Sequence, residues 1–473
     1  MSPKKSKNIL LIDPPWVIQS KKNLWKRVGS CLPSIGLSYI AASLEKEGHC
    51  VKYIDSTAEE LGVNDFPKIA ANMKERGYSP DFVGITATTA LINNAYTIAQ
   101  IFKKEFPDAK IVLGGVHPSV MPDESIQYAD FVVVGEGEIA FCELANGKKL
   151  NAIKGIAYKD KKGAHFNKLR EQLADLDALP MPAYHLLPMK KYHPAVGTYK
   201  RLPAMSMISS RNCSGCCTYC FHLHRRVTFR SAENILKEVK LLFERYGIRE
   251  IQFYDDNFLL YKNNVLRFCE LLKKEGIDIT WSCFARIDAI TRNQKADIGY
   301  LKALKKAGLH LILFGVETAD EKIMKSIKKN LDLRDVRPTI DACRKAGIET
   351  RCSYMFGNQG ETEESCRKTI RFAISADSDT VQFNIATAYP GTEFYKWAKE
   401  NGYLINKGWA NFNMSDKVIE LPTISNKKLD YYYALGHRKF YLRPKIILRR
   451  MNNLLTWEGI KQEFLGLRAV IGA

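Results

Sequence analysis

The feature that most restricts how this chain can fold is an alternation of short apolar runs with amphipathic helical patterns, arranged in two blocks. In the first block, NILLID (Asn8 to Asp13), CVKYID, FVGITA (Phe82 to Ala87), KIVLGG and FVVVGEGE read as strands. Between them, GLSYIAASLEKEGH places Leu37, Ile40, Ala41 and Leu44 on one helical face, and NAYTIAQIFKKEFP is a second amphipathic helix. This pattern predicts an open α/β unit over residues 1–150. Ligands of such sheets bind beyond the carboxyl ends of the strands, where the loops here are DPPW, TATTALINN, GGVHPS and GEGE.

The second block starts near Leu202. Its strand candidates are AMSMISS, EIQFYDD, TWSCFAR, LILFGVET, ETRCSYMFG and TVQFNIAT, with amphipathic helices such as AENILKEVKLLFERYG and ADIGYLKALKKAGL between them. Six βα units predict a partial or complete barrel over residues 201–400, with reactive groups at the strand C-terminal ends. Residues 151–200 read as a hairpin (GIAYKDKKGAHFN) and a proline-spaced connector (LADLDALPMPAYHLLP), and residues 401–473 as a basic, aromatic helical cap. The expected fold class is therefore α/β: a Rossmann-like N-terminal domain, a partial (β/α)6 barrel and a helical C-terminal region. No sequence period recurs beyond the alternation.

Composition narrows the function classes. With 46% hydrophobic and 26% charged residues the chain is globular, not disordered. No run reaches the ~20 apolar residues of a membrane span. The start, MSPKKSKNILLID, lacks a signal-peptide core, so a cytoplasmic location is expected. A net charge of +20 admits acidic proteins or anionic lipid as partners, and equally a general solubility habit. No nucleic-acid module is recognisable, so no nucleic acid is expected, while peripheral membrane contact stays open.

Of the twelve cysteines, four crowd into SSRNCSGCCTYCFH (Ser209 to His222), which favours a reduced compartment and a metal site. Read as C-x3-C-x2-C, the segment offers Cys213, Cys217 and Cys220 as ligands and leaves Cys216 as a neighbour. A cluster that only carries electrons takes four thiolates. Three would leave one iron open for chemistry. The competing reading is a zinc knuckle completed by His222 or His224. Gly114-Gly115 and Gly135-x-Gly137 read equally well as tight strand-to-helix turns. Neither matches G-x-G-x-x-G, so a nicotinamide or flavin nucleotide is not indicated.

CSGCCTYC, with its aromatic residue before the last cysteine, resembles the motif of the radical S-adenosylmethionine enzymes. FYDDNF (Phe253 to Phe258), FGVET (Phe314 to Thr318) and YPGTEFY (Tyr389 to Tyr395) stand where related enzymes carry similar strings. The resemblance implies a [4Fe–4S] cluster on Cys213, Cys217 and Cys220, with S-adenosylmethionine chelated at the open iron. It puts Asp255 and Asp256 beside the methionine moiety, Glu317 and Thr318 beside the ribose and amino group, Arg286 on the carboxylate and Tyr219 near the adenine.

The front block, in DPPW…LPSIGLSYIAASLEKEGHCVKYID, GGVHPS…PDE and VVVGEGE, resembles the cobalamin-binding domain of cobalamin-dependent members of that family. The resemblance implies cobalamin contacts at Pro14, Pro15, Gly36, Thr86, Thr88 and Gly114. It adds Gly115, His117, Gly135, Glu136 and Gly137, with the loop Thr86 to Asn93 under the lower cobalt face. The chain lacks the Asp-x-His-x-x-Gly signature, so no protein histidine is expected on cobalt.

The function implied is a C-methyltransferase acting on an unactivated sp3 carbon through a 5′-deoxyadenosyl radical and methylcobalamin, with Gln382 and Asn384 facing the substrate. The favoured substrate is a protein side chain or backbone carbon, specifically a glutamine of methyl-coenzyme M reductase. Alternatives within the superfamily are the anaerobic oxidative cyclase of bacteriochlorophyll synthesis and a hopanoid-type lipid methylase. Transfer RNA methylthiotransferases share the layout but carry a second cysteine triad that Cys31, Cys50 and Cys142 do not form. A reading of another class is a non-catalytic cobalamin or metal sensor. Expected partners are a ferredoxin- or flavodoxin-type electron donor and a protein or small-molecule substrate.

Overall fold

The computed structural model describes residues 6–16, 29–405, 408–412, 417–451, 459–460 and 464–465. The front apolar runs form β1 (Asn8–Asp13), β2 (Cys50–Asp55), β3 (Phe82–Thr86), β4 (Lys110–Gly114) and β5 (Phe131–Val133). These pair in parallel in the order β2-β1-β3-β4-β5, so the strand order reverses between β1 and β3. A crevice opens at such a reversal because the helices on either side leave to opposite faces. The hairpin β6 (Ile156–Asp160) and β7 (Gly163–Phe166) adds antiparallel to β5, so it belongs to the front sheet and not to the connector. Its inner residues Ile156 and Ala157 are fully buried, and that apolar edge is what docks it.

The second sheet runs β8 (Ala204–Met207), β9 (Glu250–Phe253), β10 (Thr280–Ala285), β11 (Leu309–Glu317), β12 (Glu349–Phe356) and β13 (Thr380–Ile385), all parallel and in chain order. The six strands make an open barrel whose outward residues, such as Cys352, Tyr354, Phe356 and Phe383, enter one apolar core with the helices. The helix Asn426–Tyr441 packs along the outside of β13 and not over the barrel mouth. The reason is polar as well as apolar: the Tyr441 hydroxyl donates to Val381 O and accepts from Val381 N on the edge strand. The remainder of the expected cap, beyond 451 apart from 459–460 and 464–465, lies outside the described residues.

The two sheets share a packed boundary. Tyr39 of the front helix Ile35–Lys46 and Tyr184 of the connector sit in the same core as the barrel. Both hydroxyls donate to Glu238, which also pairs with Arg230 at 3% and 0% side-chain exposure. Removing one member strands a buried charge, which costs about 3–5 kcal/mol. Arg230→Met is therefore expected to lower the unfolding free energy by that amount, read from denaturant melts. A loss below ~1 kcal/mol would mean that the pair does not anchor the boundary.

Candidate functional site

The thiol segment is a loop pinned at its neck and at its middle. After β8, Ser210–Arg211 pairs antiparallel with Thr228–Phe229, closing the neck. The Asp255 carboxylate accepts from Ser209 N and from the hydroxyls of Ser209 (2.8 Å) and Ser210. Further along, Thr218 N donates to Ile327 O at 3.0 Å, and Phe394 N donates to Thr218 O at 2.9 Å. The string YPGTEFY thus presents the first turn of helix Glu393–Glu400 to the loop. Gly391 there has φ +83°, and a Cβ would stand 2.4 Å from Val120 and 2.9 Å from Phe221. Only glycine fits where the front domain, the thiol loop and the last barrel loop meet.

Cys213 and Cys217 are half-buried, and Cys216 and Cys220 are exposed. Cys216 Sγ accepts from Arg225 Nη1 at 3.0 Å, which holds it to the loop's own arm. Cys213, Cys217 and Cys220 group with Arg286, Asp256, Glu317 and Lys329. Although Cys220 as a residue is exposed, desolvation around its sulfur, then the neighbouring Cys217, pushes the thiol up to about 12. A bound cationic cluster reverses that penalty, since metals hold thiolates deprotonated. Among the described residues no three His, Cys, Asp or Glu side chains converge on a single ion, as a zinc site would need. The thiolates of a four-iron cube bind separate corners and need no such convergence. The donor set fits a cluster.

The string FGVET places its glutamate by strain. Glu317 ends β11 at φ +73°, after a register shift between Gly315 and Glu317. Such a φ in a non-glycine residue persists only when its surroundings enforce it. Glu317 Oε1 accepts from Lys329 Nζ at 3.0 Å, with side-chain exposures of 13% and 11%. A Cβ on Gly315 would lie 2.4 Å from that oxygen, so the small residue makes room for the pair. Arg286 reaches Asp288 through Nε (3.0 Å) and Nη2 (3.1 Å), with Cys213 and Cys217 on its other side. Tyr219 lies beside Glu317, Cys217 and Cys220.

Two expected contacts are turned away. Asp255 is 1% exposed and spent on Ser209 and Ser210, so it braces the loop. Thr318 is fully buried, accepting from Asp320 N and facing Thr369 behind the sheet. Lys329, in KSIKKN, carried no motif to announce it.

Beyond the carboxyl ends of β3, β4 and β5 lies a cavity of about 250 Å3. Gly36, Thr86, Gly114 and Gly115 line it from one side, and Gly135, Glu136 and Gly137 from another. The barrel closes it with Ile208, Arg211 and Arg230. Gly115 has φ +96°, and a Cβ would stand 2.7 Å from Ala87 O. Backbone lies bare here, as a large amide-bearing ligand requires. Glu136 accepts from Arg211 Nη1 (2.9 Å) and Leu173 N (2.8 Å), so it is wall and latch together. Pro14 and Pro15 are buried, Thr88 is exposed, and none of them lines the cavity.

His117 does not line it either. Its ring is fully buried, 3.1 Å from Thr89 Oγ1 and 4.8 Å edge-on to Trp409, whose indole N–H donates to Glu124. Burial holds the imidazole down at about 4. The C-terminal Trp409 thus backs the loop Thr86 to Asn93.

A second cavity, about 370 Å3, joins Asp13, Trp16, Ser30 and Cys31 to Ser206, Ile208 and Tyr254 on the inner barrel wall. Asp13 stands opposite Asp55 in the β1–β2 register. Burial first, then Asp55, raises the Asp13 carboxyl from 3.8 to about 8. The folded protein keeps a proton that the unfolded chain releases near the ordinary value. Stability from this group therefore falls as pH rises from about 4 to about 8. Asp13→Asn should flatten that slope, matching the parent at pH 4 and melting higher at pH 8. Equal melting at both values would rule out the retained proton.

Gln382 and Asn384 alternate with Phe383, which packs outward on Gly436 and His437. Both amides therefore face the lumen: Gln382 Nε2 donates to Asn384 Oδ1 (3.1 Å), and Asn384 Nδ2 to Ser353 Oγ (3.0 Å).

Comparison with known proteins decides the family. Residues 23–145 match the B12 binding domain model, and residues 207–373 match the Radical SAM superfamily model. An uncharacterized methyltransferase of Pyrococcus horikoshii is 34% identical over 451 residues, covering 93% of this chain and 94% of that one. The chain belongs to the cobalamin-dependent radical S-adenosylmethionine methyltransferases. It is an enzyme whose cofactors are a [4Fe–4S] cluster, S-adenosylmethionine and cobalamin. An anaerobic magnesium-protoporphyrin IX monomethyl ester cyclase of Rubrivivax gelatinosus is 25% identical over 429 residues, 88% of this chain and 75% of that one.

Among solved structures, the cobalamin-dependent radical enzyme OxsB superposes with a TM-score of 0.72 at 17% identity, over 98% of this chain and 72% of that one. TsrM from Kitasatospora setae gives 0.67 at 18%, over 84% and 75%. Both share the fold described above. Among the described residues no helix is long and apolar enough to cross a membrane.

Proposed function

We propose that this methyltransferase acts on an unactivated sp3 carbon held in the barrel lumen. The observation that carries the reading is the junction of the two cofactor regions. Ile208 lines both cavities, and a Cβ on Gly135 of the front cavity would touch Leu223 of the thiol loop at 2.8 Å. When bound, the cofactors supply a hydrogen-abstracting radical and a transferable methyl group. The chain's part is placement, and proximity is what lets capture outrun escape.

Cys213, Cys217 and Cys220 would hold the cluster. Arg286 and the Glu317–Lys329 pair would orient the amino-acid end of S-adenosylmethionine, with Asp256 beside them and Tyr219 against the adenine. The glycine loops of the front cavity would seat cobalamin, and the enclosed His117 would leave cobalt without a histidine from this chain. Gln382 and Asn384 would hold the acceptor.

The favoured acceptor is a protein side chain, with a glutamine of methyl-coenzyme M reductase as the specific case, supported by chain length and basic charge. A ferredoxin- or flavodoxin-type protein would donate the electron. The test is anaerobic turnover of reconstituted enzyme with labelled S-adenosylmethionine and host extract. Methylation predicts label in the acceptor, with 5′-deoxyadenosine and S-adenosylhomocysteine in about equal amounts. Formation of 5′-deoxyadenosine without S-adenosylhomocysteine or labelled product would replace this reading with the cyclase one.

A further inference from the structure

We propose that the methyl acceptor carries a carboxylate or phosphoryl group, seated on the Arg351 guanidinium deep in the barrel lumen. The inference rests on the methylase reading and names the chemistry of its substrate. Strand register sets the position. Arg351 of β12 stands level with Leu313 of β11 and Thr380 of β13, and Leu313 is level with Phe284 of β10. Tyr254 meets Phe284 with ring centroids 5.3 Å apart. One layer of the lumen is therefore aromatic and aliphatic on one side and cationic on the other. Tyr254 is 41% exposed and lines the 370 Å3 cavity, which therefore reaches this layer from the tyrosine side, opposite Arg351.

The guanidinium lacks a counter-charge. Nη2 donates to Gly197 O at 3.1 Å and Nε to Thr380 Oγ1 at 3.2 Å. Among the described residues no carboxylate lies within ion-pair distance of it, and its chain neighbour Glu349 pairs with Lys200 instead. The cleft's other arginines are engaged: Arg211 by Glu136 and Glu138, Arg230 by Glu238, and Arg286, paired with Asp288, lies beside the cluster thiols. An enclosed cation without a partner is costly, and burial already lowers this group's hold on its proton. A carboxylate or phosphoryl group would supply the missing charge through two parallel N–H bonds.

The wall above is built for the rest of the acceptor. Ser353 and Gln382 form the next layer, and Met355 and Asn384 the one after, level with the strand ends that carry Glu317. Four residues of strand separate Arg351 from Met355, roughly 13 Å at about 3.3 Å per residue. The acceptor's anionic group and its reacting carbon are therefore on the order of 10 Å apart, with hydrogen-bonding groups between them for the amides.

The test uses the reconstituted full chain with benzoate and phenyl phosphate as probes, titrated anaerobically by calorimetry. At least one should bind, and Arg351→Gln should weaken it at least tenfold while Arg351→Lys weakens it less. Iron content, cobalamin content and melting temperature check that each variant is folded. If Arg351→Gln is misfolded, Arg351→Lys decides. Probe binding that is absent, or equal in parent and variants, overturns the assignment whatever turnover shows.

In the labelled extract, the labelled species, cut by protease to its labelled peptide where the acceptor is a protein, should be retained on an anion exchanger at pH 7. Release at pH 2 marks a carboxylate, and retention marks a phosphoryl group. A neutral or cationic labelled product would sink the inference and leave the methylase reading standing. Absence of any labelled product alongside Arg351-dependent probe binding would do the reverse.

Discussion

Cys213→Ala, Cys217→Ala and Cys220→Ala will each reduce iron after anaerobic reconstitution from about four per chain to a residual level, and S-adenosylmethionine cleavage to background. Cys216→Ala will keep both. The contrast follows from where the sulfurs are held. Cys216 is tied to Arg225, whereas the other thiols gather with Arg286, Asp256, Glu317 and Lys329 at the strand ends. The loop's neck ladder, and its bonds to Ile327 and Phe394, do not involve thiol sulfurs, so each variant should keep the fold. Full iron in Cys217→Ala with loss in Cys216→Ala would overturn the assignment.

The second large effect concerns Lys329. Lys329→Met leaves Glu317 with no partner in a pocket where both are nearly enclosed, and removing one member of such a pair costs about 3–5 kcal/mol. If the pair orients the cofactor, S-adenosylmethionine affinity should fall roughly a hundredfold, on the order of 3 kcal/mol at about 1.4 kcal/mol per tenfold, beyond any loss of stability. Glu317→Gln should lose a similar amount. The double variant should lose less than the sum, because its two members share one interaction. Equilibrium binding to the reconstituted cluster form measures all three. Additive losses would show that the two residues act separately and that Lys329 is only a neighbour.

Much of the architecture was legible from local pattern. Each barrel strand overlaps a segment read as a strand from the sequence, and β12 and β13 alternate, with Cys352, Tyr354, Phe356 and Phe383 toward the helices and Arg351, Ser353, Gln382 and Asn384 toward the lumen. The triad Cys213, Cys217 and Cys220 stands out by residue type and short spacing, whereas Arg286 and Glu317 were expected only from the family resemblance, and the fold brings both near the thiols. Tyr219 was likewise expected from the resemblance, and it lies beside Glu317, Cys217 and Cys220. Asp255 and Thr318 matched a string but not a direction: a strand sends successive side chains to opposite faces, and both turn from the opening. Their roles were visible only once Ser209, Ser210 and Thr369 came into contact with them.

What the sequence by itself determined is the chemistry available and the succession of strands and helices, since both follow from residue type and periodicity along one segment. What only the tertiary structure decided is which distant residues share a charge or a space. Lys329 meets Glu317, Arg211 meets Glu136 across the domain boundary, and the hairpin β6–β7 extends the front sheet. Trp409 closes over His117 from nearly 300 residues away, which is why a histidine in a promising loop is enclosed and not offered. Arg351 follows the same rule. In the sequence it is one basic residue among many, and only the folded barrel shows that, among the described residues, no carboxylate stands within ion-pair distance of it. Contacts of this kind depend on packing between remote segments, for which local pattern carries no signal.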